Sequence, residues 1–161
     1  MPEPIRHTGY MEESEHMFLG KFVHSFDDKK RLTVPAKFRE PLAGGAFVIQ
    51  GLDKNLMVLT VQAFETVYQR VMAMNLMDPA ARALRRLILG NAAQLELDSA
   101  GRILIPQDLR VLVSLESEAI LVGQGDYFEV WAPSNWKEQE TQLQGAADNS
   151  QRFSTLDVST R

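Results

Sequence analysis

The residues best suited to chemistry in this chain form one pattern, written twice. Asp27 and Arg31 stand four positions apart, and so do Asp98 and Arg102. An aspartate at a strand end can accept backbone N–H bonds and shape the turn that follows. An arginine on the returning strand can pair with it, or present a planar fork of donors to phosphate oxygens and guanine edges. The two copies differ between those ends. Asp28-Lys29-Lys30 projects two cations from the first turn, whereas Ser99-Ala100-Gly101 carries none. Lys29 and Lys30 have Asp28 as their one spare acid nearby, so a loop of this kind suits phosphate contacts. Asp27, Asp98 and Gly101 read first as organisers of the turns.

Catalytic chemistry finds little to use. The three histidines are His7 and His16, in a polar segment, and His24, alone on a strand. There is no cysteine, no His/Glu spacing for a metal, no Gly-x-Ser-x-Gly elbow and no glycine-rich phosphate loop. The Asp27-Asp28 pair has Lys29, Lys30 and Arg31 beside it, so both carboxyls should stay ionised, which is poor for general-acid work. The expectation is a protein that is not an enzyme, with no catalytic residue, no metal, no cofactor and no small-molecule substrate.

Charge sharpens the picture. The chain of 161 residues has a net charge of −4, from 17 basic and 21 acidic residues, so on average it is no polyanion binder. The stretch from Lys21 to Glu40 runs the other way. Its six basic residues, Lys21, Lys29, Lys30, Arg31, Lys37 and Arg39, face only Asp27, Asp28 and Glu40. No apolar run approaches the ~20 residues that span a bilayer, and Met1 to His16 has no apolar core of a secretory signal.

The elements that position the motif also repeat. At an offset of 71 residues, Asp27/Asp98, Arg31/Arg102, Pro35/Pro106 and Arg39/Arg110 are identical. Phe26/Leu97, Leu32/Ile103, Val34/Ile105 and Phe38/Leu109 are apolar in both copies. After a one-residue slip, Val48-Ile49 falls on Ile120-Leu121, Gly51 on Gly123, Leu56 on Phe128, Val58 on Val130 and Phe64 on Trp136. Two half-domains of about 70 residues account for this. Each opens with an apolar strand ending in the motif aspartate, followed by the turn and a short strand with apolar residues at period two, Arg31 to Val34 or Arg102 to Ile105. Pro35 and Pro106 then open a short helix. A hairpin follows, Phe47–Ile49 into Leu56–Leu59, or Ala119–Val122 into Tyr127–Trp131. Longer helices close the halves, from about Gln62 to Met77 and from Ser134 to about Gln144.

These boundaries divide the chain into a tail (1–16), a first half-domain (17–78), a linking helix (79–90), a second half-domain (91–144) and a second tail (145–161). Asp78 is suited to cap the linking helix, with Pro79 at its first position. The tails are polar and unpatterned, and read as disordered. Met17 opens the patterned region.

Asp27-x-x-x-Arg31-Leu32-x-Val34-Pro35-x-x-Phe38-Arg39, its echo from Asp98 to Leu109, and Met17-Phe18-x-Gly20 ahead of them resemble the MraZ family of bacterial transcription regulators, in the AbrB-like superfamily. The similarity covers about Met17 to Leu143. It implies an α+β fold in which two AbrB-like half-domains of short antiparallel strands and helices form an intramolecular pseudo-dimer. It also implies a cytoplasmic, nucleoid-associated protein that assembles as a ring-shaped homo-oligomer on double-stranded DNA. The target would be promoter repeats upstream of the division and cell-wall gene cluster. The family's DNA-contacting arginine falls on Arg31, with Arg102 as its counterpart, and Lys29 and Lys30 join them as expected DNA-binding residues. The family often has glycine just before the first arginine. Lys30 occupies that slot here and Gly101 keeps it in the second copy, so a turn needing positive φ would strain Lys30 by about 1 kcal/mol. The alternative is an AbrB-like antitoxin, or a regulator of other promoters.

Overall fold

The computed structural model describes residues 17–160 as an α+β fold, and its strands cross between the halves. The first half contributes β1 (Lys21–Ser25), β2 (Arg31–Thr33), a one-turn helix α1 (Ala36–Arg39), β3 (Ala46–Gln50), β4 (Leu56–Thr60) and α2 (Val61–Met72). Helix α3 (Pro79–Gly90) leads to β5 (Ala93–Leu95), β6 (Arg102–Leu104), α4 (Gln107–Leu112), β7 (Glu118–Gly123), β8 (Tyr127–Trp131), α5 (Pro133–Gln142) and α6 (Ala146–Arg152).

The main sheet has six antiparallel strands in the order β1-β7-β8-β4-β3-β5, and β2 pairs with β6 in a separate ribbon. This order is a palindrome of the two halves. The first strand of each half adds to the hairpin of the other, and the hairpins meet at β4–β8. The registers obey the same symmetry. Leu56 faces Val130 and Val58 faces Phe128. In the ribbon Arg31 faces Leu104 and Thr33 faces Arg102, so the pseudo-two-fold axis passes beside Leu32 and Ile103. The turn residues therefore do not close a β1–β2 hairpin. Beyond the turn's own hydrogen bonds, one isolated bridge, Phe26 to Leu32, joins those neighbours.

The apolar period of the short strands explains the crossing. Leu32, Val34, Ile103 and Ile105 are buried side by side with Phe38 and Leu109 from the one-turn helices. Phe18, Phe38 and Phe128 close the core from both halves, with ring centroids 5.1–5.3 Å apart. Burying these rings removes apolar surface that neither half could cover alone, which makes the pseudo-dimer one cooperative body.

One helix and one tail differ from expectation. Helix α2 stops at Met72, not Met77, because the Asn75 side chain accepts the Met77 N–H at 2.9 Å and turns the chain. Leu76 is exposed in that turn. The segment 145–161, expected to be unstructured, carries α6, a solvated helix with no buried side chain. Helix α3 begins as its signals indicate: Asp78 accepts the Ala80 N–H at 2.9 Å and Pro79 takes the first position. Its apolar residues Leu84, Leu87, Ile88 and Leu89 are half-buried where α3 packs on α2 and β3. The expected tail 1–16 lies outside the described residues.

Candidate nucleic-acid interface

The crossed ribbon brings the two Asp-x-x-x-Arg turns together, and their hydrogen bonds match atom for atom. In the first turn Asp27 Oδ1 accepts the N–H groups of Lys29 and Arg31, at 3.0 and 2.8 Å, and Oδ2 accepts Arg31 Nε at 2.8 Å. In the second, Asp98 Oδ1 accepts the N–H groups of Ala100 and Arg102, at 3.0 and 2.9 Å, and Oδ2 accepts Arg102 Nε at 2.8 Å. The backbone closes each turn twice more, through Lys30 N–H to Asp27 and Asp27 N–H to Arg31, or Gly101 N–H to Asp98 and Asp98 N–H to Arg102. A carboxylate that gathers backbone donors in this way fixes a turn even where solvent reaches it.

The four charges also meet across the axis. Arg102 Nη1 lies 3.4 Å from Asp27 Oδ2, and Arg31 Nη1 lies 3.9 Å from Asp98 Oδ2. Both aspartates are held below the ordinary carboxylate range. The first cause is the backbone N–H that each accepts from its arginine; partial burial opposes the shift, and the arginine side chain adds to it. The side chains of Arg31 and Arg102 keep 31% and 28% of their surface exposed, so each guanidinium is held by its aspartate and still open to a ligand.

The sequence-expected cations fall into different places. Lys29 and Lys30 are exposed at the first turn, with no carboxylate among the described residues in ion-pair contact. Lys30 has φ 63° and Gly101 has φ 75°, so the same left-handed step is made by a lysine in one turn and a glycine in the other. Lys21 is elsewhere. It pairs with Glu140 at 3.2 Å and lies over the Trp136 ring on α5. The excess positive charge of the Lys21–Glu40 stretch is thus not all at the turn.

Two groups escaped the sequence reading. Arg39 and Arg110 each donate Nε to the backbone carbonyl five residues earlier, Val34 at 2.9 Å and Ile105 at 3.0 Å. Their identity in the repeat was the signal. Glu129 is buried on β8, where it accepts from Asn55 Nδ2 at 2.6 Å, Gln124 Nε2 at 2.9 Å and Trp131 Nε1 at 3.2 Å. Its counterpart in the repeat is Met57, directly opposite in the sheet, so the repeat gave no sign of it. Among the described residues no cluster of three or more His, Cys, Asp or Glu could hold a metal ion, and no helix is long and apolar enough to cross a membrane.

Two interleaved half-domains, each carrying one Asp-x-x-x-Arg turn at a shared axis, define a tandem-repeat protein of AbrB-like architecture. The chain belongs to the MraZ family. The family, described as "MraZ protein, putative antitoxin-like", matches at residues 17–87 and again at 88–157. The chain is 40% identical over 141 residues to a protein of Thermomicrobium roseum named "Transcriptional regulator MraZ", covering 87% of this chain and 99% of that one. Proteins of the same name from a Roseiflexus species and from Leuconostoc mesenteroides are 40% and 34% identical, covering 75% and 83% of this chain and 85% and 93% of theirs.

Proposed function

We propose that this protein is a sequence-specific, DNA-binding transcription regulator and not an enzyme. It binds repeated promoter elements upstream of the division and cell-wall gene cluster, through the paired turns of a ring-shaped homo-oligomer at the nucleoid. The observation that carries this reading is the exposed Lys29-Lys30 pair on a turn whose backbone is fixed by Asp27. Cations held on a rigid loop lose little freedom when they meet phosphate. Lys29 and Lys30 supply phosphate contacts, and the open edges of Arg31 and Arg102 reach phosphate or a guanine edge. Asp27, Asp98 and Gly101 organise the turns.

Assembly resolves the acidic balance of the chain. One protomer offers only a few phosphate contacts, which gives weak and salt-sensitive binding. Several protomers facing successive repeats raise the effective concentration without new contacts. The acidic remainder of the ring then discourages retention on unspecific DNA. The test is a footprint and a gel shift on the promoter upstream of this gene, at two salt concentrations, beside light scattering. Protected repeats, affinity falling steeply with salt and a scattering mass of several protomers are expected. A monomer at micromolar concentration, or equal affinity for a scrambled duplex, overturns the assembly or the specificity respectively.

A further inference from the structure

The two turns differ in charge by their own residues. The first, Asp27 to Arg31, is net positive by one; the second, Asp98 to Arg102, is neutral. The structure places a further cation against the second. A side-chain carbon built at Gly101 would collide with Arg39 Nε and would lie 2.5 Å from its Cζ and 2.7 Å from its Cδ. Gly101 is buried beneath this guanidinium, whereas the equivalent Lys30 is exposed. The Val34 peptide holds the two together, since its N–H donates to the Gly101 carbonyl at 2.9 Å and its carbonyl accepts Arg39 Nε at 2.9 Å. No carboxylate among the described residues pairs with Arg39, which is half-buried, and its hydrogen bond uses Nε alone.

We propose that Arg39 is the phosphate contact of the second turn, lent to it across the pseudo-dimer by the first half-domain. With Arg39 counted, the second turn gains the net positive charge that its own residues lack. The anchor at Nε leaves the terminal Nη groups, the part of a guanidinium that grips phosphate oxygens, with no acid among the described residues to satisfy them. The departure at Lys30 then has a physical reason. The first turn carries its own lysines, and its left-handed residue, Lys30, is exposed. The second turn must be glycine there, because that space belongs to a borrowed arginine.

This inference rests on the DNA-binding reading above. The experiment titrates full-length protein against the duplex of its own upstream promoter and a scrambled duplex, across a series of salt concentrations, with a thermal melt of each variant. Arg39→Gln removes the charge, and Arg39→Lys keeps it without the planar fork. Arg39→Gln is expected to weaken both duplexes by the same factor and to make the plot of log affinity against log salt shallower by about 1 per bound protomer. Arg39→Lys should retain the wild-type slope. An Arg39→Gln protein that melts like wild type and keeps the wild-type slope overturns the proposal. If Arg39→Gln does not fold, phenylglyoxal labelling of the wild-type protein decides: protection of Arg39 by the promoter duplex, mapped by mass spectrometry, supports the contact, and equal labelling with and without the duplex overturns it. If wild type binds neither duplex, the DNA-binding reading fails, and the inference fails with it.

Discussion

The first and second turns share the hydrogen bonds that each aspartate makes within its own turn and differ in what the scaffold carries. Asp27 and Asp98 collect the same donors at distances equal within 0.1 Å. Yet one turn ends in an exposed lysine at φ 63° and the other in a buried glycine at φ 75°. Duplicated halves can therefore keep the device that shapes a loop and change the chemistry presented on it. The reason lies in where the bonds are made. The aspartate addresses backbone N–H groups, which every residue but proline owns, so the side chains between Asp and Arg are free to change.

The largest effect should come from the arginines. Arg31→Ala removes a group able to read a base, worth about 1–3 kcal/mol at each site. In a ring on several repeats these losses compound, so promoter binding in a gel shift should fall by orders of magnitude. The fold should survive, because the part-exposed pair with Asp27 is screened by solvent and adds little to stability. Arg102→Ala should weaken binding less, since no lysine flanks it. Equal losses from the two substitutions would erase the functional distinction between the turns, and wild-type binding by Arg31→Ala would remove the first turn as the reading element.

Next come two substitutions at one equivalent position, with opposite signs. Gly101→Ala places a side chain at φ 75° and displaces Arg39 from the Val34 carbonyl, so backbone strain and a lost hydrogen bond together should cost roughly 2 kcal/mol. Lys30→Gly relieves the strain of φ 63° in the folded protein but loosens the unfolded chain, for a net gain of about 0.5 kcal/mol. For a domain of this size each kcal/mol moves the melting temperature by about 2–4 °C. Lys30→Gly should also make promoter binding less salt-dependent, by about one counterion per protomer. Melting curves that move the same way for both variants would show that the two turns are not strained differently.

The sequence carried the repeat and the turn far better than the crossing. Leu32 and Val34, echoed by Ile103 and Ile105, alternate in burial, so the short strands and their inward faces were readable. Asp27 and Arg31 are close along the chain, so their bond needed no tertiary knowledge. The contacts of Arg102 with Asp27 and of Arg39 with Gly101 span more than sixty residues, and they exist only because β2 pairs with β6. No residue of β1 states that it will add to β7 instead of β2. That choice is made by the pooled core of Phe18, Phe38 and Phe128, which neither half can complete. Asn75 was a local signal overlooked: a side-chain acceptor for Met77 N–H competes with the helix, and α2 ends before it.

The smallest expected effect tests whether the scaffolds themselves are equivalent. Asp27 and Asp98 are held below their ordinary values, first by the backbone N–H of Arg31 or Arg102 and then by the arginine side chain, with partial burial opposing. A carboxyl lowered on folding adds stability that is complete above its unfolded value, near 3.9, and is lost as pH falls through the folded value. Both turns should thus weaken only below about pH 4. His24 acts in a higher window. Its imidazole is lowered by burial and then by Arg39, so the fold begins to lose stability as pH falls below its ordinary value of 6.5. A thermal melt series from pH 7 to pH 2.5 should therefore show a shallow decline followed by a steeper one. Asp27→Asn and Asp98→Asn keep an oxygen to accept the backbone donors and remove the titration. Each should flatten the steep limb by a similar share and leave the shallow decline as it was. If only one of them does so, the two hydrogen-bond sets, alike in geometry, are unlike in strength, and the half-domains have diverged in their scaffold as well as in their charge.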